Sequence, residues 1–337
     1  MAISTSLQLP FNADRGKYHT DGTDYPDITI NGSGFGLPPN IVMYRDWSRD
    51  ALGAMSLTNN MIGPNFQLDQ GIVPTVFNAY GRNCVGMREG GTNAATNNRR
   101  TTFYYVLAPF KNFRMGSDMA VPAGRTFAGV SAPRTLPTAS AIKWDWLFDG
   151  APDPANKADV VCTSWTAVNF GFVGNSCPYN VGGTSSFDFD DWNYFQCSQV
   201  AGASPFVDNG VETFTVTNSI IGTQTNTQTN VPSFGAGADT AQYDRHYVNA
   251  WDSGVNVDLC LHTKSYIYLA VSNDDNCNQR IELMNNATYA SATKVRLIPY
   301  KSWSDTQIIF SKMDHYITQG FTHYRITAGA NSIIGAL

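Results

Sequence analysis

Charge is the scarcest commodity in this sequence. Asp, Glu, Lys and Arg make up 15% of the 337 residues, against roughly 25% in an ordinary globular protein. Glutamate is nearly missing, confined to Glu89, Glu212 and Glu282. Low charge weakens self-repulsion and leaves surfaces that can lie against neighbours, which suits an assembled component and a homo-oligomer. The net charge is −5 and Arg99-Arg100 is the only adjacent basic pair, so no basic stripe is available for nucleic acid. No apolar run approaches the ~18 residues of a membrane helix, and no membrane insertion is expected. The start, Met1 to Leu7, is neither basic nor apolar, so no signal peptide is expected. The six cysteines form no Cys-x-x-Cys pair and no metal-finger spacing, which reads as reduced thiols. Cys177 and Cys197 flank a 19-residue loop and stay open as either free or bonded. The five histidines show no metal spacing, and no Gly-x-Ser-x-Gly elbow accompanies them. No amphipathic helix is apparent.

What the sequence has in quantity is period-two alternation between turn residues. The clearest case is 242–272, read as a meander of three strands. Val255, Val257, Leu259 and Leu261 share one face of its middle strand, with Asn256, Asp258 and His262 on the other. In the third strand Ile267, Leu269 and Val271 oppose Tyr266 and Tyr268. The polar face makes Tyr266, Tyr268, Asp258 and His262 the candidate glycan contacts.

Along the chain, 1–26 is polar and aperiodic and reads as an arm. Residues 27–36 read as a strand entering a glycine-rich turn, with Phe35 tucked into a core. Pro38-Pro39 stand where a phosphate-binding helix would begin, which removes a nucleotide loop. Further strands are expected at 73–79, 102–108, 142–148, 160–172, 187–195 and 211–221. With Leu147 facing outward beside Asp145, Trp144 and Trp146 would share the inner face as core. Residues 109–141 hold four prolines and read as a long excursion packed on a neighbour. The uncharged, aperiodic 222–238 reads as a polar loop of the same kind. The tail is a second β unit, with strands at 281–284, 294–298, 306–311 and 322–328 and Trp303 capping its core.

Two stretches carry a family resemblance. Ile30-Asn31-Gly32-Ser33-Gly34-Phe35-Gly36 and Ser302-Trp303-Ser304-Asp305-Thr306-Gln307-Ile308 resemble opposite parts of the TIG/IPT Ig-like domain found in structural proteins of tailed bacteriophages. In related phage proteins the glycine turn leads into a concanavalin-like sandwich, and the middle of this chain resembles that layout. The resemblance implies an all-β chain, a concanavalin-like antiparallel jelly roll at 45–275 and a small Ig-like sandwich. The latter is discontinuous, with 27–44 supplying its first strands and 276–337 the rest. It also implies a virion surface protein (tail, fibre or capsid decoration) made in a host cytoplasm. Its partners would be other virion proteins and a host surface glycan, with no catalytic residues.

Concanavalin-like folds also host polysaccharide lyases and glycoside hydrolases, which is the alternative reading. Retaining glycosidases need two carboxylates about 5–5.5 Å apart; three scattered glutamates do not supply them. The best carboxylate cluster is Phe187-Asp188-Phe189-Asp190-Asp191. On a strand, Asp188 and Asp190 would project from one face about 6.5–7 Å apart, with both phenylalanines in the core. No cofactor is required, but calcium, which takes several oxygen ligands, is the ion that Asp188 with Asp190, or Asp274 with Asp275, could hold. The competing reading of both clusters is solvated turn chemistry.

Overall fold

The computed structural model describes residues 26–57, 61–68, 74–88, 101–122, 126–127, 130–131, 141–148, 159–166, 170–174, 177–178, 187–202, 208–232, 242–252, 261–274, 276–329 and 331–337. The fold is all-β and every strand pairing is antiparallel; among the described residues the one α-helix is Asp314–Thr318. The middle layer is a seven-stranded sheet, in the order Gly222–Pro232, Asp208–Asn218, Asn193–Val200, Asn112–Met119, Tyr266–Ser272, Ile41–Asp46, Met61–Ile62. Facing it is an outer seven-stranded sheet, in the order Cys177–Pro178, Phe170–Gly174, Asp159–Thr166, Ala141–Phe148, Tyr243–Asp252, Thr101–Phe110, Gln67–Leu68. Phe113, Met115, Phe195, Phe214, Ile267 and Leu269 of the middle sheet meet Phe103, Leu147 and Val248 of the outer one in a single core. This is the large antiparallel jelly-roll sandwich that the resemblance implied.

The third layer is the tail. Arg280–Met284, Val295–Ile298, His323–Ala328 and Asn331–Ala336 form one sheet. Gln307–Ser311 pairs with Ser302–Trp303 and with Asp27–Asn31 in another. The two stretches singled out in the sequence are stitched together here. Gly32 N donates to Thr306 O, Phe35 N to Asp305 O and Gly36 N to the Asp305 carboxylate. Trp303 Nε1 in turn donates to Gly36 O at 3.2 Å. Phe35 and Trp303 both enter the second core. The 27–44 segment divides, however. Ile41–Asp46 leaves the tail and pairs with Tyr266–Ser272 in the middle sheet.

Four readings are corrected. Residues 242–272 do not form a meander: Tyr243–Asp252 lies in the outer sheet, Leu261–Lys264 pairs with Arg82–Arg88 in a side sheet, and Tyr266–Ser272 lies in the middle sheet. Residues 109–141 are not one excursion, since Asn112–Met119 is a fully buried central strand. Its polar members Arg114, Ser117 and Asp118 are buried by partners rather than by water, so the strand lacks an apolar signature. Gly222–Pro232 is a strand, not a loop; its period-two pattern runs in Thr against Asn and Gln instead of apolar against polar. Finally, Leu147 and Asp145 face the core, so the inward face of that strand is theirs; the side chains of Trp144 and Trp146 lie outside the described residues. Most of 1–26 lies outside them as well.

The tail sits directly on the middle sheet at Gly116, where a Cβ would come 2.6 Å from Leu297 Cδ1 and 3.4 Å from Tyr266 Oη. Leu297 and Tyr266 are fully buried, so neither has room to yield. Gly116→Ala is expected to destabilise the chain by about 1–3 kcal/mol, read as a lowered midpoint in urea. An unchanged midpoint would mean that the two layers are not closely seated.

Candidate functional site

The inner strands of the middle sheet have no face to water, so a polar side chain on them calls for a partner inside the protein. Between the middle and outer sheets, Asp145 accepts from Ser117 Oγ at 2.7 Å, from His246 Nε2 at 3.1 Å and from Lys264 Nζ. With Nε2 donating to a carboxylate, His246 Nδ1 is the acceptor for the Tyr105 hydroxyl. Burial would raise the Asp145 carboxyl, but Lys264 and His246 outweigh it and hold the pKa low. Burial drives the His246 imidazole below its ordinary 6.5 and also lowers Lys264. The cluster is therefore carboxylate, ammonium and neutral imidazole. In connectivity it has the look of an acid–base relay. Yet Tyr105, Asp145, His246 and Lys264 are all at 0% exposure, and burial pushes the Tyr105 hydroxyl well up. What it can do is hold five strands, drawn from three sheets, together.

The opposite face of the middle sheet is tied to the tail in the same way. Asp46 receives Arg296 Nη2 at 2.6 Å and His315 Nε2 at 3.0 Å. Burial would raise the Asp46 carboxyl, but Arg296 and His315 prevail and keep it well below the carboxylate range. Glu282 takes Gln196 Nε2 at 2.8 Å and Tyr289 Oη at 3.0 Å, with Arg280 Nε 3.2 Å away. Asp118 takes Arg82 at 2.9 Å and the Ser265 amide at 2.7 Å, while Arg82 also lies over the Trp192 ring at 4.8 Å.

The outward face of the outer sheet offers a different surface. Phe103 and Tyr105 point inward, so Tyr104 and Val106 point out, with Val106 41% exposed. Tyr247 lies in register with Tyr104, their rings stacked at 4.8 Å and 13°. Arg245 is in register with Val106, and exposed Gln67 with Tyr104. Tyr247 is itself buried, at 4% exposure, so the half-buried Tyr104 ring is what this face presents, backed by Tyr247 and bordered by a guanidinium and an amide. Tyr104 shares its sequence run with large side chains on both parities, which conceals which of them faces out.

The residues picked from the sequence fare differently. Tyr266 and Tyr268 are at 0% exposure, packed against the tail core; their alternation from Ile267 and Leu269 is real, but their face meets protein rather than a glycan. Asp258 and the His262 side chain lie outside the described residues. Residues 187–192 are a bend, with the strand starting at Asn193, so Asp188 and Asp190 do not share a strand face. Asp188 accepts from the Asp190 and Asp191 amides at 2.8 and 3.1 Å and from Ser219 Oγ. That is an Asx turn, with the carboxylate already engaged. Asp274 is exposed and accepts from Ser272 Oγ; Asp275 lies outside the described residues. Among the described residues no group of three His, Cys, Asp or Glu could hold a metal ion. Cys197 is a free, buried thiol, which removes the bond to Cys177.

No protein-family model matches the chain, and no curated protein matches it. Among solved structures it is similar to the alginate lyase Aly36B in complex with alginate trisaccharide, at 11% identity and a TM-score of 0.40, over 70% of this chain and 97% of the lyase. It is also similar to lectin II from Ulex europaeus, at 10% identity and a TM-score of 0.36, over 74% of this chain and 99% of the lectin. A third is the PL-14 alginate lyase from Aplysia kurodai, at 9% identity and a TM-score of 0.35, over 74% of this chain and 100% of that chain. Likeness at this level carries no argument about ligand or chemistry.

The buried clusters generate two predictions. Asp145→Asn leaves the Lys264 ammonium without a counter-charge and should cost about 3–5 kcal/mol. Asp145→Leu combined with Lys264→Met should recover most of that loss in a denaturant titration. The second concerns pH. His246 and His315 are held below their ordinary 6.5 by burial, so below that pH the unfolded chain binds protons that the folded chain refuses. Asp46, Asp145 and Glu282 are depressed despite burial, by their cationic partners, so their contribution is lost as pH falls below the ordinary carboxylate values. The thermal midpoint should be level near neutrality, decline from about pH 6.5, and fall steeply below about pH 4.5. A midpoint level down to pH 4 would contradict both assignments.

Proposed function

We propose that this chain is a non-enzymatic surface protein of a bacteriophage particle that binds a glycan on the outward face of its outer sheet. The observation that carries the glycan reading is the half-buried Tyr104 ring, backed by the buried Tyr247 ring, beside Arg245 and Gln67. A sugar ring has an apolar C–H face and a rim of hydroxyls; an outward tyrosine ring bordered by donors and acceptors matches both. The non-enzymatic reading is supported by the seclusion of the Tyr105–His246–Asp145 relay, which no polysaccharide can reach. The virion setting is supported by low charge and by the TIG-like stretches that meet at Gly36 and Asp305.

Binding is tested by titrating the chain with oligosaccharides on a glycan array and then by NMR. Tyr104→Ala should weaken the response about tenfold or more, while Tyr268→Phe leaves it unchanged. Loss of binding in Tyr268→Phe with full binding in Tyr104→Ala would overturn the location. Turnover of a polysaccharide by the purified chain would overturn the non-enzymatic reading, and absence from purified particles the virion one.

A further inference from the structure

Four strands end the two large sheets, and three of them are two residues long: Met61–Ile62, Gln67–Leu68 and Cys177–Pro178. Short edges present little backbone for a stranger to pair with. The fourth, Gly222–Pro232, is an eleven-residue edge. Proteins usually guard such an edge with lysine, proline or a bulge. From Thr223 to Thr229 this strand has no charged residue and no proline. Its first irregularity comes at Asn230, with φ 61°, where the ladder to Asp208–Asn218 shifts. Gln224, Thr225, Thr227 and Thr229 are exposed. Along an edge strand, alternate backbone N–H and C=O groups point away from its one partner.

The order of residues says what fits there. Thr223-Gln224-Thr225-Asn226-Thr227-Gln228-Thr229 reads identically in both directions about Asn226. We propose that this edge pairs antiparallel with the same edge of a second copy, about a two-fold axis at Asn226. The two middle sheets then become one continuous sheet with seven strands from each copy. In that register Thr223 faces Thr229, Gln224 faces Gln228, Thr225 faces Thr227, and Asn226 faces its own mate. A two-fold contact has to be self-complementary, and a palindromic strand meets that condition residue by residue. A charged residue at its centre would face its own kind, so the missing charge is a requirement of the pairing.

The chain already builds this contact once within itself. Thr227, Thr225 and Thr223 bond hydroxyl to hydroxyl with Thr213, Thr215 and Thr217 at 3.0, 2.9 and 3.0 Å. A second copy would extend those threonine rows by two more strands. The edge is also held ready. Thr223 Oγ1 donates to Ala292 O at 2.9 Å, and a Cβ on Gly222 would stand 2.9 Å from Ala290 O, so the tail fixes the start of the strand and little ordering is left for association. The pairing does not depend on the glycan reading.

The test is sedimentation of the full chain across a dilution series. The unmodified chain should dimerise. Asn226→Lys and Asn226→Glu should each weaken the dimer roughly tenfold or more, and an equimolar mixture of the two should restore it. Amide exchange at 223–229 should slow as the concentration of the unmodified chain rises, which keeps the proposal testable should a variant fold poorly. The tail sheet has its own edge, Asn331–Ala336, with Ile333 40% and Ile334 42% exposed, so Ile333→Lys is the comparison. A monomer at every concentration, a dimer indifferent to Asn226→Lys, a mixture that stays monomeric, or a dimer split by Ile333→Lys instead would overturn the proposal.

Discussion

The middle sheet is covered on both sides, so neighbouring residues of its inner strands leave water together. In Asn112–Met119 all eight positions are buried, and in Tyr266–Ser272 all but the last. One parity faces the sandwich core and the other the tail. Any charge on either face must therefore arrive with its partner, because an unpaired ion inside costs far more than it contributes. Asp145, Asp118 and Asp46 satisfy that condition with lysine, arginine and histidine drawn from other elements, and Glu282 with Arg280 of its own strand and Arg325 of the neighbouring one. Part of the scarce charge is thus used for internal registration between layers.

The same constraint decides where function can reside. Groups that look most like catalytic machinery are those furthest from solvent, since they serve as fasteners between sheets. Recognition is left to surfaces outside the sandwich. The outward Tyr104 ring and the uncharged threonine edge are such surfaces, and they lie on different sheets.

The all-β class, the tail strands, the core position of Phe35 and the two faces of 266–271 were legible in the sequence, because apolar alternation carries each of them. Asn112–Met119 was hidden because Arg114, Ser117 and Asp118 are buried by pairing, so hydropathy misreads them as loop residues. Gly222–Pro232 was hidden because its two parities differ in hydrogen-bonding chemistry, not polarity. The meander failed for another reason: alternation shows that a stretch is a strand and which residues share a face, but not which strand it pairs with. Tyr266 and Tyr268 show the same gap at the level of the site. Their separation from the apolar face was correct, yet a second core lay on the other side. Asp188 was misplaced because two phenylalanines flanking aspartates imitate a strand, whereas its carboxylate closes a turn.

The pairing of Asp27–Asn31 with Gln307–Ser311 has a consequence for how the protein is made. Asn31 and Gln307 are 276 residues apart and still bond side chain to side chain. Closing so long a loop costs about 2 kcal/mol more than closing one of roughly 35 residues, and it cannot happen until the later strand has left the ribosome. Ile41–Asp46 waits similarly for Tyr266–Ser272. Asp27–Asn31 thus has no strand to pair with until Gln307–Ser311 is made, while Ile41–Asp46 has only the two-residue Met61–Ile62 beside it until Tyr266–Ser272 is made. A low-charge, Thr- and Asn-rich chain in that state depends on time and protection rather than on its own early contacts. Tyr266–Ser272 completes the middle sheet, and the strands that follow it complete the tail.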